Sequence, residues 1–198
     1  MPYEQEERVF RMPERTLIEN CSPTLAGMKP ANLISLAYED VNRAREDIRE
    51  MNRIFVRKGL RAVPLNYRKG HVLLYLYRPD FLNAVFSGEK IRNFLEQRGY
   101  ECTDADRCVA RLRQRIQAGN CSSEFPHEIG LFLGYPLEDV EGFIYHKEEG
   151  CKCIGCWRVY GNEEQARKVF RSYQSCTSAY LRSWERGRSL EQLTVASK

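Results

Sequence analysis

The amino-acid sequence predicts an α+β fold: a small, mostly antiparallel sheet with helices packed on one face. Apolar residues recur at helical spacing over residues 40–58 and 163–185. Two short extended segments, LRAVPLN and HVLLYLYR, are separated by the turn-forming residues YRKG. The order of strand, helix, strand, strand, several helices, strand and helix is compatible with a ferredoxin-like arrangement that has a helical insertion and a long C-terminal helix.

The first half of the chain predicts a strand, a helix and a hairpin. We expect a strand at ANLISLAY, residues 31–38, and then a helix over 40–58. Asp40 can cap the start of this helix, and Gly59 ends it. Pro64 cannot donate a backbone hydrogen bond, so the first strand of the hairpin should lie at a sheet edge or carry a bulge.

The second half is predicted to be mainly helical. Helices are expected near Pro79, over 88–98 with Ser87 as cap, over 104–118 from TDAD onward, and at Pro126 and Pro136 with a break at Gly134. CIGCWRVY, residues 153–160, is a strand candidate. The last helix, 163–185, is capped by Asn162. Its apolar stripe includes Phe170, Tyr173 and Trp184 and should pack on the domain.

A single domain accounts for most of the 198 residues. We expect this α+β domain to span 16–190, after a charged, loosely ordered segment at 1–15 and before a tail at 191–198. The segment NCSPTLAGMKP lies between two prolines and predicts turns.

Charge and hydropathy exclude several classes of protein. The net charge is +4, from 31 basic and 27 acidic residues, and aromatic residues do not interleave with Arg107, Arg111 and Arg115 on the predicted 104–118 helix, so no nucleic-acid partner is expected. The longest apolar run, VLLYLY, is far too short for a membrane span. The start, MPYEQEERVF, lacks the pattern of a signal peptide, so we expect a cytoplasmic protein with no membrane partner.

Cys21, His127 and Glu128 are the candidate catalytic residues. His127 and Glu128 follow Pro126 at a predicted helix start, where exposed N–H groups stabilise a carboxylate and keep an imidazole neutral. Cys21 lies near a second proline-limited turn, where a helix start would activate its thiol. We therefore predict that Cys21 and His127 share one pocket. The structural alternative is that Glu128 interacts with the helix end, His127 caps or packs, and Cys21 is an inert buried residue.

Cys151, Cys153 and Cys156 form the densest group among the eight cysteines. Together with His146 they could hold zinc, and the thiols could also hold an iron–sulfur cluster. A continuous strand over this segment would point Cys153 and Cys156 to opposite faces, so a metal site needs a turn at Ile154–Gly155. Free thiols and a redox pair remain alternatives to a metal site.

Three segments resemble a known family: NCSPTLAGMKPANL, FPHEIGLFLGYPLEDVEGFI and GCWRVYGNEEQARKVF. They are similar to the three blocks of the bacterial domain-of-unknown-function family numbered thirty-seven ninety-three. The resemblance covers nearly the whole chain. It implies a setting in anaerobic bacteria, near genes for ferrous iron uptake and flavodoxin, rather than a particular reaction.

Two functions of different classes follow from these residues. The first is a cytosolic thiol- or metal-dependent enzyme in iron or redox metabolism that uses Cys21, His127 and Glu128. The second is a non-catalytic module that binds a metal through the cysteine group, or that binds a protein partner. The sequence names neither a small-molecule ligand nor a cofactor.

Overall fold

The α+β class is confirmed by the computed structural model, which describes residues 14–119 and 125–197. The helices are α1 Glu14–Leu25, α2 Val41–Phe55, α3 Pro79–Phe86, α4 Glu89–Glu96, α5 Ala105–Ala118, α6 Ile129–Phe132, α7 Leu137–His146, α8 Glu163–Glu185 and α9 Leu190–Leu193. The strands are β1 Ala31–Ala37, β2 Arg61–Arg68, β3 His71–Tyr77, β4 Cys153–Ile154 and β5 Arg158–Val159.

The main sheet has the strand order β1-β3-β2, and both pairings are antiparallel. β2 is therefore an edge strand, and its register shifts between Pro64 and Asn66, as the proline predicted. Lys69 and Gly70 form the turn into β3, both with positive φ, which suits a two-residue hairpin loop. This is the strand order of a split β-α-β unit, and the described residues add no fourth strand to the sheet.

Helices cover both faces of the sheet rather than the one face that we expected. Val72, Leu74 and Leu76 of β3 belong to a core shared with α1, α2 and α9, which we call the α2-side core. Tyr75 and Tyr77 belong to a second core shared with α3 to α7, the α5-side core. Because side chains alternate along a strand, the apolar run of β3 over residues 72–77 buries both of its faces.

Residues 20–25 of the segment predicted to contain turns before β1 are helical, whereas residues 26–30 form the expected turns. Leu17, Ile18, Cys21 and Leu25 are fully buried along α1, and Pro23 lies within its last turn. This buried stripe stabilises the helix. The charged residues before it and Pro23 within it made the helix hard to predict from the sequence. The prediction of a loosely ordered segment at 1–15 lies mostly outside the described residues, but residues 14 and 15 already belong to α1.

Several helix boundaries also differ from the sequence prediction. Gly88, not Ser87, precedes the first residue of α4, and the Ser87 hydroxyl donates to Ala84 O at 2.7 Å instead. Pro136 occupies the N-cap position of α7 instead of its first helical position, and α6 begins only at Ile129. Helix α2 agrees with its prediction: the Asp40 carboxylate accepts from the first backbone N–H groups of the helix.

The segment predicted as a C-terminal tail packs against the domain. Leu193 and Thr194 are buried, and Val195 N donates to Leu25 O at 3.0 Å. Ser197 N donates to Lys58 O, also at 3.0 Å. These residues follow α9, whose Ser189 forms a capping box with Gln192. The end of the chain therefore closes the α2-side core.

Helix α8 has the predicted bounds and the predicted cap, Asn162. Its stripe is only partly buried, since Ala166 is the one residue of this helix that is fully buried. The helix packs along α1. The Phe170 ring meets the Trp157 ring edge-to-face, with 4.6 Å between centroids.

Replacing Phe170 with alanine should lower the free energy of unfolding by about 2 kcal/mol, because half-burial gives up part of the roughly 3–5 kcal/mol cost of a core phenylalanine. Denaturant unfolding followed by circular dichroism measures this loss. Phe132→Ala is the matched control, because Phe132 is fully buried and should show the whole cost. Equal losses in the two variants would contradict the observed position of α8.

Candidate binding site

The three segments that carry the family resemblance meet at one place in the fold. Gly134, between α6 and α7, has a φ of +77°, and a Cβ there would come within 2.5 Å of Pro30. Only glycine allows this approach without strain. The β4–β5 hairpin packs on the same region, where Tyr135 Oη donates to Cys156 O at 3.2 Å. Segments far apart in sequence thus build a common site.

Asp139 fastens the hairpin to α7. This carboxylate is 3% exposed and accepts three hydrogen bonds from the segment at and after β5. Trp157 Nε1 donates to Oδ2 at 2.7 Å, and the backbone N–H groups of Tyr160 and Gly161 donate to Oδ1 at 2.7 and 2.8 Å. A carboxylate that accepts three donors holds them more firmly than neutral acceptors would.

An aromatic wall runs between α7 and α8. Tyr135 and Trp157 stack with 4.8 Å between ring centroids, and the Phe170 ring meets that of Trp157 edge-to-face. Phe143 lies further along, with its ring 5.0 Å from that of His127. Such pairs stabilise the wall beyond the area that they bury. Trp157 is the central residue of this wall.

A cavity of about 200 Å³ lies against this wall. Its walls are mainly apolar or aromatic side chains: Ile129, Leu133, Tyr135, Val140, Phe143 and Trp157. Its polar lining residues are His127, Asp139 and Arg158. An apolar cavity with a few polar groups at its edge is typical of a small-ligand site.

His127 lies where the cavity meets solvent. The residue is exposed, and it lines the cavity. It sits in the turn before α6 rather than in the first turn of a helix, and its carbonyl accepts from Gly130 N. The ring is therefore placed to contact a ligand.

Glu128, the next residue, is buried, and its carboxylate is bound by other side chains of the protein. Its carboxylate accepts from Tyr100 Oη at 2.8 Å and forms an ion pair with Arg115 Nε at 2.9 Å. Burial and the neighbouring Glu128 raise the pKa of Tyr100, so its hydroxyl stays a donor. These contacts favour a structural role for Glu128.

Cys21 lies in the α2-side core, whereas the cavity borders the α5-side core. It is fully buried inside α1, not at a helix start, and it is not a lining residue of the cavity. Burial raises the pKa of its thiol to about 12, an effect that nearby Lys29 only partly offsets. The structure therefore brings His127 and Glu128 into one turn and leaves Cys21 apart. A catalytic role for the three residues stays a prediction.

The cysteine segment forms a hairpin, not the single strand expected for CIGCWRVY. β4 pairs with β5, and Gly155 N donates to Trp157 O at 3.0 Å across the turn. Cys151 Sγ donates to Cys153 O at 3.4 Å, while Cys156 lies near Lys29. His146 is exposed at the end of α7. In the described part of the chain, no three His, Cys, Asp or Glu side chains are grouped so that they could hold a metal ion.

Lys29 is one residue of this region that the sequence did not reveal. Its side chain is 5% exposed, and the ammonium lies 5.4 Å from the Tyr135 ring centroid and 5.8 Å from that of Tyr173. Burial lowers the pKa of this ammonium, and the thiols of Cys156 and Cys21 oppose that shift. Asp139 and Trp157 were likewise missed as site residues. Only the tight spacing of aromatic residues and glycines around them could have drawn attention to them.

The comparisons with known proteins agree with the resemblance seen in the sequence. The model of a family described as a protein of unknown function (DUF3793) matches residues 17–194. The chain belongs to this family. Neither a curated protein nor a solved structure matches it. Among the described residues, no helix has the length and apolar character needed to cross a membrane.

Proposed function

For this member of the DUF3793 family, we propose a non-catalytic binding function in which the cavity beside Trp157 takes up a small aromatic carboxylate. The observation that carries the proposal is the apolar cavity of about 200 Å³ with His127 and Arg158 at its edge. The ligand's ring would lie against the aromatic wall, and its carboxylate would face these two residues.

The size of the cavity favours a single ring. An apolar protein cavity of about 150 Å³ is large enough to bind benzene, whereas drug-sized ligands need about 300 Å³ or more. The aromatic faces of Trp157 and Phe143 suit a ring by offset or edge-to-face contact. A ring with one short substituent therefore fits this space.

The charged side chains at the edge of the cavity favour an anionic ligand. All three hydrogen bonds of Asp139 come from the protein itself, so its carboxylate is already well supplied with donors. Arg158 pairs with Glu148 at 3.2 Å, but the Glu148 side chain is 84% exposed, and such surface pairs contribute little. Turning the Arg158 guanidinium to a ligand carboxylate would give up this surface pair and a contact with Tyr160, and would gain a charge-assisted hydrogen bond.

A thiol- or metal-dependent enzyme in iron or redox metabolism has less support than a binding function. Cys21 is fully buried, and a thiol with a pKa of about 12 is almost entirely protonated near neutral pH. Glu128 is held by Arg115 and Tyr100. Of the residues predicted to be catalytic, His127 alone faces the cavity.

Phenylacetate should bind to the intact protein with a Kd of about 1 mM or tighter, a modest affinity for a ligand of about ten heavy atoms. The chain has two tryptophans, so a Trp184→Phe background leaves Trp157 as the only indole reporter. Its fluorescence should change saturably with phenylacetate. A response that never saturates, or no response, would overturn the proposal.

Matched variants distinguish recognition of the ligand's carboxylate from the fit of its ring in the cavity. Arg158→Gln should weaken phenylacetate binding about tenfold or more, the loss of roughly one charge-assisted contact, and leave binding of neutral benzyl alcohol nearly unchanged. Arg171→Gln, an exposed arginine of α8, is the control and should change neither. Leu133→Phe should fill the cavity and abolish binding of both compounds. Equal weakening of both compounds in Arg158→Gln would argue against recognition of the carboxylate.

A further inference from the structure

Two cysteines outside the binding site lie side by side at the start of α5. Cys108 is fully buried in the first turn of this helix, and Cys102 is half-buried just before it. Cys108 Sγ lies 3.5 Å from the carbonyl oxygen of Glu101, the residue bonded to Cys102. The two thiols are also close enough to influence each other, since Cys108 lowers the pKa of Cys102 and Cys102 raises that of Cys108. Neither thiol lines the proposed binding cavity.

We propose that Cys102 and Cys108 are a redox pair that a peroxide converts reversibly into a disulfide. Cys108 Sγ lies against the peptide group that precedes Cys102, so closing a disulfide calls for movement of the Cys102 loop and not of the sheet or of the α5-side core. Cys102 belongs to a loop, which can adjust to the specific geometry that a disulfide requires.

The oxidation balances with hydrogen peroxide as the oxidant. The Cys102 thiolate attacks one peroxide oxygen, the O–O bond breaks, and a sulfenic acid forms while the other oxygen leaves as water. Cys108 Sγ then attacks the sulfenic sulfur, which forms the S–S bond and releases the second oxygen as water. Both thiol protons end in the two water molecules. Dithiothreitol reverses the change by thiol–disulfide exchange.

The order of these steps follows from exposure. Cys102 is the accessible thiol, and Cys108 is shielded by the core, so the first attack belongs to Cys102 and the resolving attack to Cys108. Burial raises the pKa of both thiols, that of Cys108 to about 12. Thiolate is therefore scarce near neutral pH, and the oxidation should be run at mildly alkaline pH.

Hydrogen bonds fix the backbone at the start of α5, so formation of the Cys102–Cys108 disulfide would distort little of the helix. Asp104 accepts from Arg107 N at 2.8 Å, and Asn83 Oδ1 accepts from Ala105 N at 2.8 Å. These bonds hold the backbone between the two cysteines. A disulfide here would fasten the loop to a helix start that is already fixed.

Peptide mapping tests the pair directly. Trypsin cleaves after Arg98, Arg107 and Arg111, so Cys102 and Cys108 fall in separate peptides, 99–107 and 108–111. The intact reduced protein is treated with hydrogen peroxide, then denatured, alkylated with iodoacetamide and digested. We expect the two peptides to appear joined, with neither alkylated, and to separate after dithiothreitol.

Two serine variants complete the test. Cys102→Ser should abolish the joined product. Cys176→Ser, which removes a half-buried thiol on α8, should leave it unchanged. Cys108 is buried, so its replacement is avoided in case the fold suffers. Recovery of both peptides fully alkylated after oxidation, or a link from either cysteine to a different one, would overturn the proposal.

Discussion

Replacing Arg78 with methionine should lower the free energy of unfolding by more than about 3 kcal/mol, because it leaves several buried acceptors without donors. Arg78 is 1% exposed. It donates to Thr24 O at 2.8 Å, to Leu25 O at 2.9 Å and to Val195 O at 2.7 Å, and Nη1 donates to Ser197 Oγ at 3.0 Å. This one side chain therefore joins the end of α1 to the C-terminal segment.

Burying the Arg78 cation is itself costly, yet its replacement should still destabilise the fold. A buried ion pair can often be replaced by apolar residues without loss when both partners are removed. The acceptors of Arg78 are mainly backbone carbonyls, which the substitution cannot remove. Methionine restores much of the lost volume, so the measured loss reports the hydrogen bonds rather than a cavity.

Urea unfolding followed by circular dichroism measures the loss. Arg78→Lys keeps the charge but has fewer donors, so it should fall between wild type and Arg78→Met. Arg171→Met is the control for an exposed arginine and should change stability by less than about 0.5 kcal/mol. A loss below about 1 kcal/mol in Arg78→Met would mean that water satisfies the carbonyls instead.

Local sequence patterns predicted the regular elements well. Helix α8 begins and ends where its cap and apolar spacing placed it, and β2 and β3 form the expected hairpin. These features depend on residues close together in sequence. Helix α1 was not predicted, because its stability comes from packing in the α2-side core and because Pro23 indicated a turn instead. Tertiary contacts overrode the local signal there.

The site was harder to predict than the fold, for a physical reason. Sequence motifs point to reactive side chains, here Cys21 and Glu128. In the structure Cys21 is buried in the core and Glu128 is paired with Arg115. The cavity instead depends on which apolar faces meet, and no spacing rule shows that Trp157 reaches Asp139. His127 was selected because it follows Pro126 at a predicted helix start; it lines the cavity, and its role there stays a prediction.

Replacing Asp139 with alanine should lower the free energy of unfolding by about 3 kcal/mol and release the hairpin from α7. Trp157 Nε1 and the N–H groups of Tyr160 and Gly161 would all lose their acceptor at once. Trp157 is the centre of the cavity wall, so phenylacetate binding should be lost as well. Asp139→Asn keeps one acceptor oxygen and turns an N–H group toward a donor, so it should show an intermediate loss.

Glu141→Ala, on the same helix, is the matched control and should change stability by less than about 0.5 kcal/mol. A double-mutant cycle with Trp157→Phe isolates the indole bond, because the two substitutions remove the same hydrogen bond. The combined loss should be smaller than the sum of the two single losses by about 1 kcal/mol or more. Additive losses would mean that Asp139 does not hold Trp157, and the cavity wall would then need another explanation.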